Sequence, residues 1–277
     1  MQQSKRKFWV IFGIVVALYL FAMVFPFFWI VVTSFKTSGE IFGAGAFNII
    51  PENPTLVNYI KVMFEKNILS AILNSFIVST VTTLYIVVVA TLAAYAISRF
   101  DFWGKNVFLG IILAVSMFPQ MVVIGPVYDM FLSLGWLNSF AIVLPYSTIT
   151  LPIAVWILVT HFNQIPLALE ESAKIDGATA FQTLYKILFP LAAPGVFTVA
   201  IITFIAAWNE FLLSITLNTN SSYHTVPVAI SFLRTQFEIL WGEVAAATAI
   251  VTIPTIIIVL FFQKQIVSGL TSGGVKE

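Results

Sequence analysis

Cysteine is missing from this sequence, and histidine is nearly so. Without cysteine the chain can form neither a disulfide framework nor a thiolate metal site, and its redox compartment is left open. The two histidines, His161 and His224, are too few and too widely separated to indicate a metal cluster. We therefore expect no bound metal and no cofactor.

Charge is the second shortage. Only 9% of the 277 residues are charged and the net charge is +1, whereas 60% are hydrophobic and the mean hydropathy is +1.00. A soluble domain of this length cannot bury so much apolar surface, so the composition indicates a protein whose solvent is the lipid bilayer. A net charge close to zero argues against nucleic acid as a partner.

Six windows without charged residues or histidine are each long enough to cross a membrane once. A bilayer core of about 30 Å requires roughly 20 apolar helical residues. The sequence therefore predicts an all-α polytopic membrane protein, with one transmembrane domain over residues 1–277 and spans at about 8–32, 69–97, 106–126, 139–161, 191–214 and 244–263.

Basic residues predict the orientation of these spans. Lys5, Arg6 and Lys7 precede the first window, which is longer than the apolar core of a cleaved signal peptide, so we interpret it as an uncleaved signal anchor. With the N-terminus in the cytoplasm, nine of the 13 lysines and arginines fall on the cytoplasmic side. Both termini and the segment 162–190 are then cytoplasmic, and the segment 33–68 is extracytoplasmic.

The extracytoplasmic segment 33–68 contains a predicted short helix. Thr55 is a possible N-cap, and Tyr59, Val62 and Met63 follow at helical spacing. We expect this helix either to lie along the membrane face or to contact an external partner. Within the spans, prolines are expected to kink the helices around an irregular cavity, at Pro26, Pro119, Pro126, Pro145, Pro152, Pro194 and Pro254.

Hydroxyl side chains follow one face of the second span. Ser75, Ser79, Thr82 and Thr83 recur at helical spacing. Small hydroxyl residues favour close helix packing in membranes, and the same residues could line a polar path for a solute. Both interpretations stand at this point.

The stretch Trp208–Asn209–Glu210 is a second candidate for a translocation pathway. An acidic group at the bilayer centre costs roughly 2.5–3.5 kcal/mol, so Glu210 is expected to face a water-filled cavity or a partner, or to lie hydrated at the outer interface. Trp208 and Asn209 offer a stacking surface and hydrogen bonds to a hydroxyl-rich ligand. An interfacial aromatic is also an ordinary membrane anchor.

One segment, residues 162–190, concentrates charge in this otherwise apolar chain. It carries Glu170, Glu171, Lys174, Asp176 and Lys186 between two long uncharged windows. We expect a membrane protein that gathers its charges in one cytoplasmic loop to use that loop to contact a soluble partner.

Local signals divide this segment into two helices. The first is predicted to have Pro166 in its first turn and to continue over 167–175, and Gly177 suits the left-handed position that ends a helix. Thr179 and Gln182 match a capping box, which opens a second helix that is expected to stop before Pro190. On the second helix, four apolar residues are expected to share one face, Phe181, Leu184, Tyr185 and Leu188.

The bend between the two helices is expected to carry almost no large side chains. Ala173, Gly177 and Ala178 are small, so the surface of another protein could approach closely. Glu170 and Glu171 can support or orient that contact, and Glu170 can instead form an ordinary i,i+4 pair with Lys174.

The spacing within the segment resembles the EAA loop of ABC importer permeases. The matching residues are Glu171-Ser172-Ala173, Gly177, Ile187 and Phe189-Pro190, with serine at 172 where the family has alanine and phenylalanine at 189 where it usually has leucine. Three further stretches resemble the sugar-importer branch, namely 54–59, 208–211 and 269–275.

This resemblance implies a six-helix subunit in a prokaryotic cell membrane, with its EAA loop between spans 4 and 5. Its implied partners are a second permease subunit, a homodimeric cytoplasmic ATPase and an extracytoplasmic sugar-binding protein. The tail residues Gly273 and Gly274 would either reach the ATPase or form a frayed terminus. The resemblance places seven residues in the helix that couples to the ATPase, Glu170, Glu171, Ser172, Ala173, Asp176, Gly177 and Ala178.

Other function classes find less support in the sequence. The chain lacks the G-x-x-x-x-G-K-[ST] loop that binds phosphates, so an ATP-driven transporter would need a separate ATPase. A secondary transporter needs an ionisable relay in the spans, and Glu210 is its lone candidate. No nucleophile–base set indicates an enzyme. An importer for a non-sugar solute remains an alternative, although the spans lack the basic residues expected for an anionic cargo.

Overall fold

The computed structural model describes residues 2–234 and 239–271, without the side chains at 2–4, 6, 7 and 264–271. Within these residues the regular structure is helical, apart from one isolated bridge between Arg234 and Ile239. The prediction of an all-α chain is confirmed. The helices are α1 Gln2–Ser34, α2 Ser38–Ile41, α3 Val57–Ile60, α4 Ile68–Arg99, α5 Lys105–Ser116, α6 Gln120–Leu134, α7 Val143–Gln164, α8 Ala168–Ile175, α9 Ala180–Thr183, α10 Phe189–Leu191, α11 Ala193–Trp208, α12 Leu212–Leu217, α13 Val226–Ser231 and α14 Trp241–Thr271.

Four helices in the described part of the chain are long and apolar enough to cross a bilayer. They cover Phe8–Ser34, Ile68–Arg99, Phe140–Gln164 and Trp241–Gln263. Two further pairs, α5 with α6 and the α9–α10 segment with α11, pass the same test but bend by 92° and 79°. The number of spans is therefore four, or up to six if each bent pair crosses the membrane as one unit.

The expected helix over 106–126 is broken. α5 ends at Ser116, and α6 begins after Pro119, whose backbone is extended with ψ of 122°. A proline disfavours helical backbone in the residue before it and donates no hydrogen bond of its own. The apolar window is continuous in the sequence, but its helix turns sharply at the proline.

The expected helix over 191–214 is also interrupted. α11 ends at Trp208, and α12 starts only at Leu212. Pro194 lies in the first turn of α11, where a proline is tolerated. The helix bends by 79° at the junction just before it, between Leu191 and Ala193. Prolines do lie inside α1, α6, α7 and α14, at Pro26, Pro126, Pro152 and Pro254.

One compact unit of the chain extends to Leu69 and includes Ile230–Ile253. Within it, the predicted short helix is confirmed as α3 followed by a π-helical turn over Lys61–Glu65. The N-cap is Leu56 rather than Thr55, although Oγ1 of Thr55 accepts a hydrogen bond from the Val57 amide at 3.1 Å.

A buried lysine holds the loop that precedes α3. Nζ of Lys36 donates to the carbonyl oxygens of Gly45 and Ala46 at 3.3 and 2.8 Å and lies over the Trp29 ring at 4.9 Å. The side-chain amide of Asn58 donates to the carbonyls of Ser34 and Lys36, both at 2.9 Å. These bonds satisfy backbone groups that the loop would otherwise leave unpaired.

The second compact unit runs over Ser70–Ala229 and continues from Pro254. Its largest core joins α4, α7 and α11, whose small and β-branched residues pack closely. Gly195 of α11 meets the ring of His161 on α7, and this contact brings the two helices together at the base of the polar segment. A second core packs α6, α7 and α12 together, through Phe131, Tyr146, Leu213 and Leu217.

Candidate functional site

The polar segment 162–190 folds as two short helices around a left-handed glycine. α8 begins at Ala168, so Pro166 lies before the helix rather than in its first turn as predicted, and Gly177 has φ of 81°. The amide of Gly177 donates to the Lys174 carbonyl at 3.1 Å, and the amide of Ala178 donates to the Ala173 carbonyl at 2.9 Å. These two bonds form the Schellman arrangement that ends a helix, so the predicted helix–glycine–helix bend is confirmed.

The predicted capping box is confirmed at the start of α9. Oγ1 of Thr179 accepts from the Gln182 amide at 3.3 Å, and the Gln182 side chain accepts from the Thr179 amide at 2.9 Å. The box satisfies two backbone donors that no helical turn can reach. The direction of α9 relative to α8 is therefore held by bonds on both sides of the bend.

The second helix does not stop before Pro190, and that part of the prediction is wrong. α9 passes into a π-helical turn over Leu184–Leu188, in which the Phe189 amide donates to the Leu184 carbonyl, and α10 then includes Pro190. A π-turn shifts the hydrogen-bond pattern by one residue. Because of that shift, the proline can continue the helix without displacing a regular bond.

Glu170 turns inward and pairs with Arg99 at the end of α4. Nε of Arg99 donates to Oε1 of Glu170, and Nη2 of Arg99 donates to the Ile165 carbonyl at 3.0 Å. Only 7% of the Arg99 side chain and 6% of the Glu170 side chain are exposed. The alternative i,i+4 pair with Lys174 is therefore wrong, because Arg99 takes the carboxylate.

The bend is less bare than expected. Ala173 is buried inside the chain and Ala178 is half-buried, whereas Gly177 is exposed. The prediction that Ala173 leaves a bare surface is wrong, because its methyl group faces the chain's own interior. The exposed residues of the coupling set are Glu171, Ser172, Asp176 and Gly177.

Large apolar side chains project from the segment beside those residues. Ile175 is 86% exposed, and Phe181 and Tyr185 are 70% and 65% exposed. Leu184 and Leu188 are buried in the core, so the four apolar residues of the second helix do not share one face as expected. The π-turn and the direct contact with α4 and α7 divide them between the core and the surface.

The hydroxyl face of α4 lies inside the chain. Ser75, Ser79 and Thr82 are all buried. Oγ of Ser75 accepts from the Val226 amide at 2.8 Å, and the hydroxyls of Ser79 and Thr82 have no hydrogen-bond partner among the described residues. The geometry therefore favours packing over an open polar path for these three residues.

The three candidate residues at the end of α11, Trp208, Asn209 and Glu210, differ in their exposure. Trp208 is buried and stacks on Phe204 at 5.8 Å. Asn209 is exposed, and its side-chain amide donates to the Ile205 carbonyl at 2.8 Å. Only Asn209 of the three presents its side chain to the surroundings.

Glu210 caps the helix that follows it. Its carboxylate accepts from the Leu213 amide at 2.9 Å and from the Ser214 amide at 3.1 Å, and the residue is 7% exposed. A helix N-terminus presents unpaired N–H groups and a partial positive charge, both of which stabilise a carboxylate. This partner explains both how the acid is buried and why α11 breaks without a proline or glycine.

A hydrogen-bond chain that no sequence motif indicated links α12, α13 and α4. The Thr225 hydroxyl bonds to the Ser214 hydroxyl at 2.8 Å, and the next residue, Val226, donates to Ser75. Immediately before Ser75 on α4, the side-chain amide of Asn74 donates to the carbonyls of Ser222 and His224 at 2.8 and 3.1 Å. These bonds fix the segment 222–226 against α4.

A cavity of about 300 Å³ opens at the break between α5 and α6. Its polar lining consists of Ser116, Gln120 and Thr148, and none of the predicted pathway residues lines it. The last two candidate residues, Gly273 and Gly274, lie outside the described residues.

The known proteins that this chain resembles are components of transport systems. Residues 86–272, which include the whole polar segment, match the family described as "Binding-protein-dependent transport system inner membrane component". The chain is 41% identical to the trehalose/maltose transport system permease protein MalG of Thermococcus litoralis, over 91% of each chain. It is 37% identical to the trehalose transport system permease protein SugB of Mycobacterium tuberculosis, over 100% of each.

A solved structure shares the fold. It is a bacterial ABC transporter involved in the import of the acidic polysaccharide alginate, matched with a TM-score of 0.78 at 20% identity. The match covers 94% of this chain and 97% of that one. The helical arrangement described above is thus one that an ABC transporter chain adopts.

Proposed function

This chain belongs to the family of binding-protein-dependent transport system inner membrane components, and on that basis we propose that it is the permease subunit of an ATP-driven sugar importer. The observation that carries the proposal is the exposed pair of short helices around Gly177, which lies within the matched region. Relatives named for trehalose and maltose transport support a sugar as the cargo.

The proposed topology has six spans, with both termini and the segment 162–190 in the cytoplasm. Each bent helix pair then counts as one span. The contact between Arg99 and Glu170 supports this arrangement, because it brings the end of α4 and the start of α8 to the same side of the membrane. The excess of basic residues on that side makes it the cytoplasmic one.

The proposed partners follow from what the chain lacks and what it exposes. It has no phosphate-binding loop, so a homodimeric cytoplasmic ATPase supplies the hydrolysis. A second permease subunit completes the pathway through the lipid bilayer. An extracytoplasmic sugar-binding protein delivers the cargo, in keeping with the description of the family as binding-protein-dependent.

The exposed surface of the segment is the proposed contact with the ATPase. Ile175, Phe181 and Tyr185 supply apolar area, and Glu171 and Asp176 stand at its edge. Aromatic and apolar anchors surrounded by polar residues are typical of protein interfaces. Buried Glu170 and Ala173 act from behind this surface, since neither side chain is accessible to a partner.

Transport follows from movement of this segment as one piece. The Schellman bonds and the capping box hold α8 and α9 in a fixed relation, so closure of the ATPase dimer shifts both together. The helices that flank the segment tilt with it, and the pathway changes its opening from one side of the membrane to the other. This is a two-state population shift biased by the bound nucleotide.

Asn209 is the proposed sugar contact within this subunit. Its side-chain oxygen is available to accept from a sugar hydroxyl while its amide group bonds to Ile205. Buried Trp208 and Glu210 hold the break that exposes it. Ser75, Ser79 and Thr82 support the same region as packing residues rather than as a lining.

Reconstitution tests the proposal. The chain is purified with its partner subunits, placed in lipid vesicles, and supplied with ATP and a panel of labelled sugars and non-sugar solutes. We expect uptake of one or a few sugars that requires ATP and the ATPase. Uptake by this chain alone, driven by an ion gradient, would instead identify a secondary transporter.

A further inference from the structure

The ion pair between Arg99 and Glu170 lies where three helices meet. Arg99 is the last residue of α4, Glu170 is the third residue of α8, and Ile165 immediately follows α7. One guanidinium therefore bonds to groups on both sides of Pro166, where the chain turns out of α7 into the polar segment. The end of α4, the end of α7 and the start of α8 share a single anchor.

The chemistry of this ion pair is better suited to orienting the helices than to stabilising the fold. An arginine fork donates from several N–H groups in fixed directions, which fixes the orientation of its acceptors. Bringing two charges out of water is costly, so a buried ion pair usually adds little to stability compared with an apolar pair of similar size. A buried, directional ion pair at this junction is better explained by its alignment of the ends of α4 and α7 with the start of α8.

The anchor connects directly to the packed interior. Tyr95, one turn before Arg99 on α4, belongs to the core cluster that also contains Phe162 of α7. The ring of Tyr95 meets Phe100 edge-on at 5.7 Å. α8 is therefore connected through Arg99 to a close-packed region, and such regions deform little.

Two neighbouring charges show that this arrangement is particular to Glu170. Glu171 is exposed, although it adjoins Glu170 in the sequence. Asp101, two residues after Arg99, pairs with Lys105 at 3.9 Å across the surface, with the Asp101 side chain fully exposed. An exposed ion pair of this kind is screened by solvent and contributes little to stability.

We infer that Arg99 and Glu170 are positioning residues, whose ion pair passes the movement of the ATPase-docking segment to α4 and so couples ATP hydrolysis to transport. The inference rests on the proposed function, because it names the route by which force from the ATPase reaches the bundle. Both side chains are buried, so they act on the segment from within rather than as part of its exposed surface.

The test compares uptake with ATP hydrolysis in vesicles containing the whole importer. Glu170→Gln removes the charge and keeps the size of the side chain, and Arg99→Lys keeps the charge and removes the fork. Each variant is expected to assemble with the ATPase and hydrolyse ATP, while sugar transported per ATP falls about tenfold or more. Asp101→Asn, which breaks the exposed pair on the same end of α4, is expected to leave this ratio unchanged.

A double variant separates alignment from stability. Arg99→Met with Glu170→Met replaces the ion pair by apolar groups, which is expected to preserve the melting temperature and assembly. The ratio of sugar to ATP is expected to stay low in this variant, because the directional bonds are gone. Full coupling in the double variant would overturn the inference and leave a purely structural role.

The wild-type importer distinguishes this inference from the proposed function. If wild-type vesicles show no ATP-driven sugar uptake, the proposed function fails. If wild-type vesicles transport and both single variants transport with the same sugar-to-ATP ratio, the proposed function stands and only the role of Arg99 and Glu170 is overturned.

Discussion

Gly195 lies against the imidazole ring of His161. A methyl group on Gly195 would come to 2.6 Å from Cγ and 2.9 Å from Nε2 of that ring, which is closer than real side chains approach. His161 is in the last turn of α7 and Gly195 is in the first turn of α11. The helices that enter and leave the polar segment are thus in contact at its base.

Gly195→Ala is predicted to lower the stability of the protein by about 1–3 kcal/mol, because the added methyl group forces α7 and α11 apart. The measurement is the thermal unfolding midpoint of the purified protein in detergent. Combining Gly195→Ala with His161→Ala should recover most of the loss. Gly110→Ala on α5 is the control, since a methyl group there meets open space.

Substitution of Gly177 should lower stability through backbone strain rather than through steric crowding. Its φ is 81°, and a methyl group on it would meet nothing within 4 Å. Gly177→Ala is expected to cost about 1–2 kcal/mol, because an alanine in the left-handed region is strained, whereas Gly177→Asn should cost clearly less. The unfolding midpoints should follow the order glycine, asparagine, alanine. Equal effects of asparagine and alanine would show that backbone strain is not the cause.

Glu210 should act through the backbone of α12. Glu210→Ala removes the acceptor for the Leu213 and Ser214 amides and is expected to cost about 1–2 kcal/mol, as lost helix caps do. Glu210→Gln keeps one acceptor and should retain most of the stability and uptake. If uptake in Glu210→Gln is abolished while unfolding is unchanged, the carboxylate has a charge-dependent role beyond capping.

The loop that contains His224 should lose stability in mild acid. Burial lowers the pKa of His224 below its usual value of about 6.5, so the folded protein favours the neutral ring. Its stabilising contribution is complete above the unfolded pKa and is lost as the pH falls through the lowered folded pKa. The unfolding midpoint of wild type should therefore fall more between pH 7 and pH 5 than that of His224→Gln. Identical pH profiles would contradict the prediction.

Local signals in the sequence predicted the local structure well. The left-handed Gly177 and the box of Thr179 and Gln182 depend on residues within four positions of each other, and both are confirmed. Four of the six apolar windows likewise correspond to single apolar helices, whereas the windows over 106–126 and 191–214 are interrupted. These features need no knowledge of the rest of the chain.

Long-range partners could not be predicted in the same way. Glu170 and Arg99 are 71 residues apart, and by spacing alone Lys174 was an equally good partner for Glu170. The break after Trp208 contains neither proline nor glycine, and it depends on a carboxylate that turns back onto the next helix. Tertiary contacts therefore determined which charges of the site are buried and which are exposed.

Accessibility of Ile175 tests the central claim most directly. The chain contains no cysteine, so Ile175→Cys provides a single thiol at the tip of the exposed segment. A membrane-impermeant thiol reagent should label it only from the cytoplasmic side, and bound ATPase should protect it from labelling. Labelling from the external side, or labelling that is unchanged by saturating ATPase, would contradict the account of this segment as the cytoplasmic docking site.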